Sequence, residues 1–318
     1  MAVIEVEGLR KEYRRFRKGR TVALDGLDLS VPEGGVFGFL GPNGAGKTTT
    51  IRCLLGLIAP SSGTCRILGA TPPRELPAAI SKVGAIVETP TMFPGFSGRR
   101  NLELLGATYG IGRKAVDDVL EKVGLSERGG DRVKTYSLGM KQRLGIGAAL
   151  LKDPELLILD EPANGLDPAG IKEVRELVRL LGAEGRTVFV SSHILHEVKQ
   201  MCDRVAILAR GRCVASGPVE EVLTRDRAAG LLVRVDDRSR AIEVLRDAGI
   251  AAASKDDILS VDIPAAQGAR VTRALAERGI YLSEMRSEEV DLETVFLKLT
   301  ADDPHIDEPD AHIDEPKG

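Results

Sequence analysis

Residues 41–48 read Gly-Pro-Asn-Gly-Ala-Gly-Lys-Thr, a full match to the pattern G-x-x-x-x-G-K-S/T. No other stretch restricts the chain's possible folds as strongly, because the pattern works only between a strand and a helix. Both flanks have that character. Gly35–Leu40 is a short apolar run that reads as a buried strand, and Thr49–Ile58 reads as a helix. Gly41, Gly44 and Gly46 allow a tight turn that brings several backbone N–H groups toward one anion. The helix that follows adds a partial positive charge at its N-terminus. Pro42, Asn43, Ala45 and Thr49 complete the candidate phosphate-contact segment. The Lys47 ammonium suits β- and γ-phosphates, and the Thr48 hydroxyl suits Mg²⁺. The competing reading is an incidental glycine turn, and the matching flanks count against it.

A second signal is Leu156-Leu157-Ile158-Leu159-Asp160-Glu161. Four consecutive apolar residues suit a strand buried on both faces, with two acids at its carboxyl end. In parallel α/β sheets ligands bind at that end. Asp160 is a candidate for holding Mg²⁺ through water, and Glu161 for taking a proton from an attacking water. Solvated acids at a strand end are the plainer alternative. Thr187–Ser191 reads as another buried strand, ending at Ser192-His193. A histidine there is often structural, but on the ligand side of the same sheet His193 is a candidate donor to a γ-phosphate.

The rest of the chain divides by texture. Residues 2–9 and 22–31 alternate like half-exposed antiparallel strands, and a basic segment, Arg10 to Arg20, lies between them. Tyr13 in that segment is either an ordinary surface residue or a platform for a base. Strands are expected at 63–69 and 83–88. A turn-rich loop at 89–96 leads into helices near 98–110 and 113–123, so residues 89–151 read as a helical insertion. Ser137 is a good N-cap for the helix that follows it. Pro168 opens a helix with Ile171, Val174, Leu177, Val178 and Leu181 on one face. A helix near 194–202 and strands at 204–209 and 212–216 follow. Residues 231–299 show the order β-α-β-β-α-β plus a helix at 292–299, which suggests a ferredoxin-like accessory domain. The tail from Ala301 repeats His-Ile-Asp-Glu-Pro. Its acids and prolines point to a solvated, disordered segment more than to a metal site.

Composition narrows the class. The 318 residues suffice for two domains, and with 3% aromatics and no Trp the core must be aliphatic. A net charge of −3 argues against a nucleic-acid surface. Four widely spaced cysteines suit a reducing compartment. Acids interrupt the first residues, so no signal peptide is expected, and no apolar run is long enough for a bilayer span. A cytoplasmic protein reaching the membrane only through a partner is expected.

Together these motifs resemble the ATP-binding subunits of ABC transporters over roughly residues 2–225. The segment 41–48 resembles Walker A, and 156–161 resembles Walker B with its catalytic glutamate. Asn164–Asp167 is similar to the D-loop, His193 to the switch histidine, and Ser137–Arg143 to the signature. Two positions depart from the common pattern. Leu138 and Met140 replace a Gly and the Gln of the signature, and Glu88 stands where the Q-loop usually has Gln. Both departures resemble the bacitracin-resistance and lantibiotic-immunity branch of exporters. The resemblance implies ATP and Mg²⁺ as cofactors, with Glu88 a metal ligand. It also implies a head-to-tail homodimer in which Ser137, Gly139 and Asp167 of one copy meet nucleotide on the other. A separate ABC-2-type permease is implied, touching residues near 88–101, with efflux of a drug, peptide antibiotic or lipid-linked compound. A non-transport ABC switch in translation or DNA repair is the rival class. It lacks support here, because the chain has one cassette and no long coiled-coil insertion. A kinase using the same loop is disfavoured by Ser137–Arg143 and His193.

Overall fold

The computed structural model describes residues 2–15, 19–88, 91–224, 230–255 and 257–287. The chain divides between Val222 and Leu223 into two compact units.

The first unit opens with β1 (Ala2–Arg15) and β2 (Gly19–Pro32), which pair antiparallel. Next come β3 (Gly35–Leu40), α1 (Lys47–Leu54), β4 (Ser62–Ile67), the single turn α2 (Leu76–Ala79) and β5 (Val83–Ile86). Helices α3 (Gly98–Ala107), α4 (Arg113–Lys122) and α5 (Leu138–Leu150) pack on one another. The unit then runs through β6 (Leu156–Leu159), α6 (Pro168–Ala183), β7 (Thr187–Ser192) and α7 (Leu195–Met201). It closes with β8 (Arg204–Ala209), β9 (Arg212–Pro218) and the start of α8 (Val219–Thr224), the helix in which the division falls.

Two sheets result. β2-β1-β4 is antiparallel, and the larger sheet has the order β5-β6-β7-β3-β8-β9. In the larger sheet the first five strands are parallel and only β9 runs the other way. β3 is central, with Leu40 level with Ser192 of β7, and Ile86 of β5 is level with Leu159 of β6. The loops after β3, β5, β6 and β7 therefore leave along one carboxyl edge, the edge where open α/β sheets take ligands. The core beneath this edge is mainly aliphatic. Phe39 and Phe189 add a ring contact at 5.2 Å between centroids.

The hairpin extends beyond the alternation seen in the sequence. Its arms continue through the basic segment to Arg15 and resume at Gly19. Arg10 bonds both Glu12 and Asp25, Arg20 lies 3.7 Å from Glu12, and Arg212 donates to Asp25 at 3.0 Å. Neutralised across the ladder, these charges stay in extended backbone. The helix expected near 98–110 ends early, at Ala107.

The second unit contains β10 (Leu231–Val235), α9 (Arg238–Asp247), β11 (Ala252–Lys255), β12 (Ile258–Val261), α10 (Gly268–Ala276) and β13 (Leu282–Ser287). Its sheet order is β11-β12-β10-β13 with every pair antiparallel, the ferredoxin-like arrangement. Val233, Ala241, Leu245, Leu259, Val261 and Val271 fill its own core. The expected helix at 292–299 and the acidic tail lie outside the described residues.

Candidate functional site

The loop after β3 is tied down before it reaches α1. The Gly41 N–H donates to the Ser192 carbonyl at 3.1 Å, and the Gly211 N–H donates to the Ala45 carbonyl at 2.9 Å. Gly46 stands at φ +108 as the N-cap of α1, and a Cβ there would lie 2.7 Å from the Ala23 carbonyl oxygen. Only glycine fits both the dihedral and the space. Lys47 follows, 5% exposed, and its ammonium donates to the carbonyls of Gly41 at 2.7 Å and Pro42 at 3.2 Å. The same ammonium lies 3.1 Å from Glu161 Oε1. Asn43 and Gly44 are the exposed tip of the loop, and Thr49 is half-buried on α1.

β6 delivers two carboxylates with different surroundings. Asp160 is 6% exposed. It accepts from Thr48 Oγ1 at 2.7 Å on one oxygen and from the Ser191 hydroxyl on the other. Glu161 sits at φ +46, an uncommon conformation for a residue with a side chain, and its N–H donates to Ser191 Oγ at 2.9 Å. Its second carboxylate oxygen is 2.8 Å from His193 Nδ1. Protonated at Nδ1, the imidazole donates to Glu161. One carboxylate is thus held between an ammonium and a ring, beside the Thr48–Asp160 pair.

Thr48, Glu88, Leu138, Gln142, Asp160, Glu161 and Asn164 line a cleft of about 350 Å³ at this edge. Glu88 also has a left-handed backbone, at φ +70, and its exposed carboxylate pairs with Arg52 from the last turn of α1. Other candidates lie elsewhere. Ser137 caps α5 by accepting from the Met140 N–H at 3.2 Å, and Asp167 caps α6 by accepting from the Gly170 N–H at 3.0 Å. Gly139 is buried, where a Cβ would be 3.4 Å from the Gly170 Cα. Tyr13 is half-buried on β1, with the Lys11 ammonium 5.2 Å from its ring centre.

Sequence reasoning gave no role to Ser191, Ser192, Glu197 or Arg52. The serines bind partners about thirty residues away or across a turn, which periodicity does not register. Glu197 on α7 is 8% exposed and accepts from Ser192 Oγ at 3.2 Å. Burial pushes its carboxyl above the usual range, against the opposing pull of the Ser192 bond.

A glycine cradle, a buried lysine and a strand-end aspartate bonded to the loop threonine define a P-loop nucleotide site. The ABC transporter family profile matches residues 24–164. The chain is 41% identical to the uncharacterized ABC transporter ATP-binding protein YhcH of Bacillus subtilis, over 94% of this chain and 96% of the relative. It is 40% identical to the bacitracin transport ATP-binding protein BcrA of Bacillus licheniformis, over 93% and 97%. Among solved structures, cbiO1 of Clostridium perfringens, part of the ABC transporter complex cbiONQ, superimposes with a TM-score of 0.61 at 28% identity. That match covers 70% of this chain and 90% of cbiO1. The chain belongs to the ATP-binding subunits of ABC transporters and is an ABC ATPase.

Proposed function

We propose that the chain hydrolyses ATP to drive efflux of an antibiotic-like compound through a separate ABC-2-type permease on the cytoplasmic side of the membrane. The name of BcrA supports the cargo class. The transport reading fits such relatives; the translation or DNA-repair switch does not. Among the described residues no helix is long and apolar enough to cross a membrane, so a transport path needs a partner.

The observation that carries the catalytic half is Glu161, fixed between Lys47 and His193 within the cleft. Backbone amides of the loop tip and of the start of α1 bind the phosphates, and Lys47 moves from Glu161 to them. Glu161 is then free to accept a proton from water, and His193 uses its ring N–H either to keep that carboxylate aimed through Nδ1 or to donate to the γ-phosphate through Nε2. The donors fit Mg²⁺: Thr48 Oγ1 and Asp160 Oδ2 are hard oxygens 2.7 Å apart, with Glu88 on the same cleft. Among the described residues no group of three or more His, Cys, Asp and Glu could hold a metal ion; phosphate oxygens and water would complete the shell. Bound there, Mg²⁺ would offset charge on the phosphates. Ser137, Gly139 and Asp167 serve the nucleotide of a second copy in a head-to-tail dimer, and Tyr13 is the candidate adenine platform. The permease meets the segment 88–101. There Asn101, 2% exposed, ties the loop to α3 through bonds to Phe93 N–H and O and to the Ser97 carbonyl.

The test is Glu161→Gln. Phosphate release should fall by about a hundredfold or more while ATP binding persists, and ATP should shift the variant to a dimer on gel filtration. Undiminished turnover removes Glu161 from the general-base role. Recovery of a polytopic partner from detergent-solubilised membranes tests the transport half.

A further inference from the structure

We infer that Ser192 and Glu197 form a positioning pair that holds His193 in its working orientation, an inference resting on the proposed role of His193 and Glu161. Ser192 is the last residue of β7 and 4% exposed. Its main-chain carbonyl accepts the Gly41 N–H at 3.1 Å, so it is joined to the start of the phosphate loop. Its hydroxyl accepts the N–H of Ile194, two residues on, at 3.0 Å. That bond closes a serine turn around the residue between them, which is His193.

A serine turn is weak when its hydroxyl can rotate. Here Glu197 Oε2, on the helix that follows the turn, is the nearer acceptor for the hydroxyl at 3.2 Å, with the Ile194 carbonyl at 3.4 Å as its competitor. Glu197 is itself fixed, because α7 packs on β3, β7 and α6. One hydroxyl therefore ties strand end, turn and helix together, and the imidazole lies 2.8 Å from Glu161 Oε2. A buried carboxylate costs stability unless it is hydrogen-bonded, and the Ser192 hydroxyl supplies such a bond. Glu197 touches no reacting atom in this arrangement; it acts only through the turn. Removing the acceptor frees the hydroxyl, loosens the turn and lets the ring swing, while the loop that grips phosphate keeps its bond to the Ser192 carbonyl.

The experiment uses the full chain and compares Glu197→Leu, Glu197→Gln, Ser192→Ala, the Ser192→Ala/Glu197→Leu double variant and a His193→Ala control. Melting curves verify folding, phosphate release gives kcat, and a fluorescent ATP analogue gives affinity. E197L and S192A should each lower kcat by about ten- to a hundredfold with nucleotide affinity within about twofold. E197Q, whose amide oxygen still accepts from Ser192, should recover most of the rate lost in E197L. The double variant should be no slower than the slower single, because both remove one interaction. Equal losses in E197Q and E197L, additive losses in the double variant, or full-rate E197L overturn the inference. If E197L does not fold, S192A and E197Q decide alone: a full-rate S192A or a slow E197Q overturns it. An undiminished H193A rate would instead overturn the role of His193 on which the inference rests.

Discussion

Glu161 and Glu197 lie on either side of His193 and are held in opposite ways. Glu161 faces the cleft with Lys47 and the imidazole as its partners, whereas Glu197 is closed off from water beneath the turn. Burial raises the Glu197 carboxyl, and the nearby Glu161 charge adds to the rise. The Ser192 bond, His193 and Arg175 oppose it. The sign for stability follows from proton linkage. Below the unfolded carboxyl value both states hold the proton, and the contribution of Glu197 is fully present. As pH rises through the raised folded value, the native state must either keep a proton that the unfolded chain has lost or bury a charge. The contribution then disappears. Glu197→Gln carries a neutral group at every pH. The melting temperature of E197Q minus that of the native chain should therefore be more positive at pH 8 than at pH 4. Melts at the two pH values check this, and a difference that is flat or reversed would show that the site is not effectively desolvated. At Glu88 the charge is managed differently: its exposed carboxylate pairs with Arg52, so a third acid on the cleft adds less repulsion toward phosphate.

At the scale of elements, two helices of this unit begin on side-chain caps that lie near each other. A Cβ at Gly139, in the first turn of α5, would be 3.4 Å from Gly170, in the first turn of α6, so the two capped ends converge. Asp167 accepts from the Gly170 N–H, and Pro168 presets the first helical residue. Asp167→Ala should cost about 1 kcal/mol in urea unfolding, and Asp167→Asn should recover most of it. If both variants unfold like the native chain, the cap contributes nothing and Asp167 is retained for other reasons. How much of this was readable beforehand follows from where each feature's information lies. Val36–Leu40, Leu156–Leu159 and Val188–Val190 are buried runs whose apolar character is local, and the loop at 41–48 declares itself by residue type. The caps at Ser137 and Asp167 also use local chemistry, although only that of Ser137 was anticipated. The outer hairpin was hidden because Arg10 and Arg20 are offset by acids on the ladder, which only pairing reveals. The four-residue α2 is too short for a helical period. The bonds of Ser191 to Asp160 and Glu161 cross from one strand to another, so no window of sequence contains them.

At the scale of the whole molecule, every side chain assigned to nucleotide chemistry, from Tyr13 to His193, belongs to the first unit, as does the Ser192–Glu197 pair. That unit has an apolar core built from β1, β2, β3, β4, β5, α1, β6, β7 and β8, and the second has a separate core between its sheet and two helices. A chain of about 220 residues is long enough to bury a self-sufficient core. The boundary is favourable for a cut after Thr224, because α8 is then retained and its buried Val219 and Val222 keep their place. A protein comprising residues 1–224 should therefore melt in one cooperative transition and bind ATP with magnesium at an affinity within a few-fold of the full chain. Differential scanning calorimetry and titration calorimetry measure the two properties. Its turnover per chain, set beside the fraction of closed dimer, is the informative third quantity. If binding survives but turnover falls, the ferredoxin-like unit acts on closure of the paired copies rather than on the site, because no residue of that unit is needed to build the cradle, the carboxylates or the histidine turn. If the shortened chain aggregates or loses nucleotide affinity, the nucleotide unit depends on the second for its fold, and the two cores are not independent.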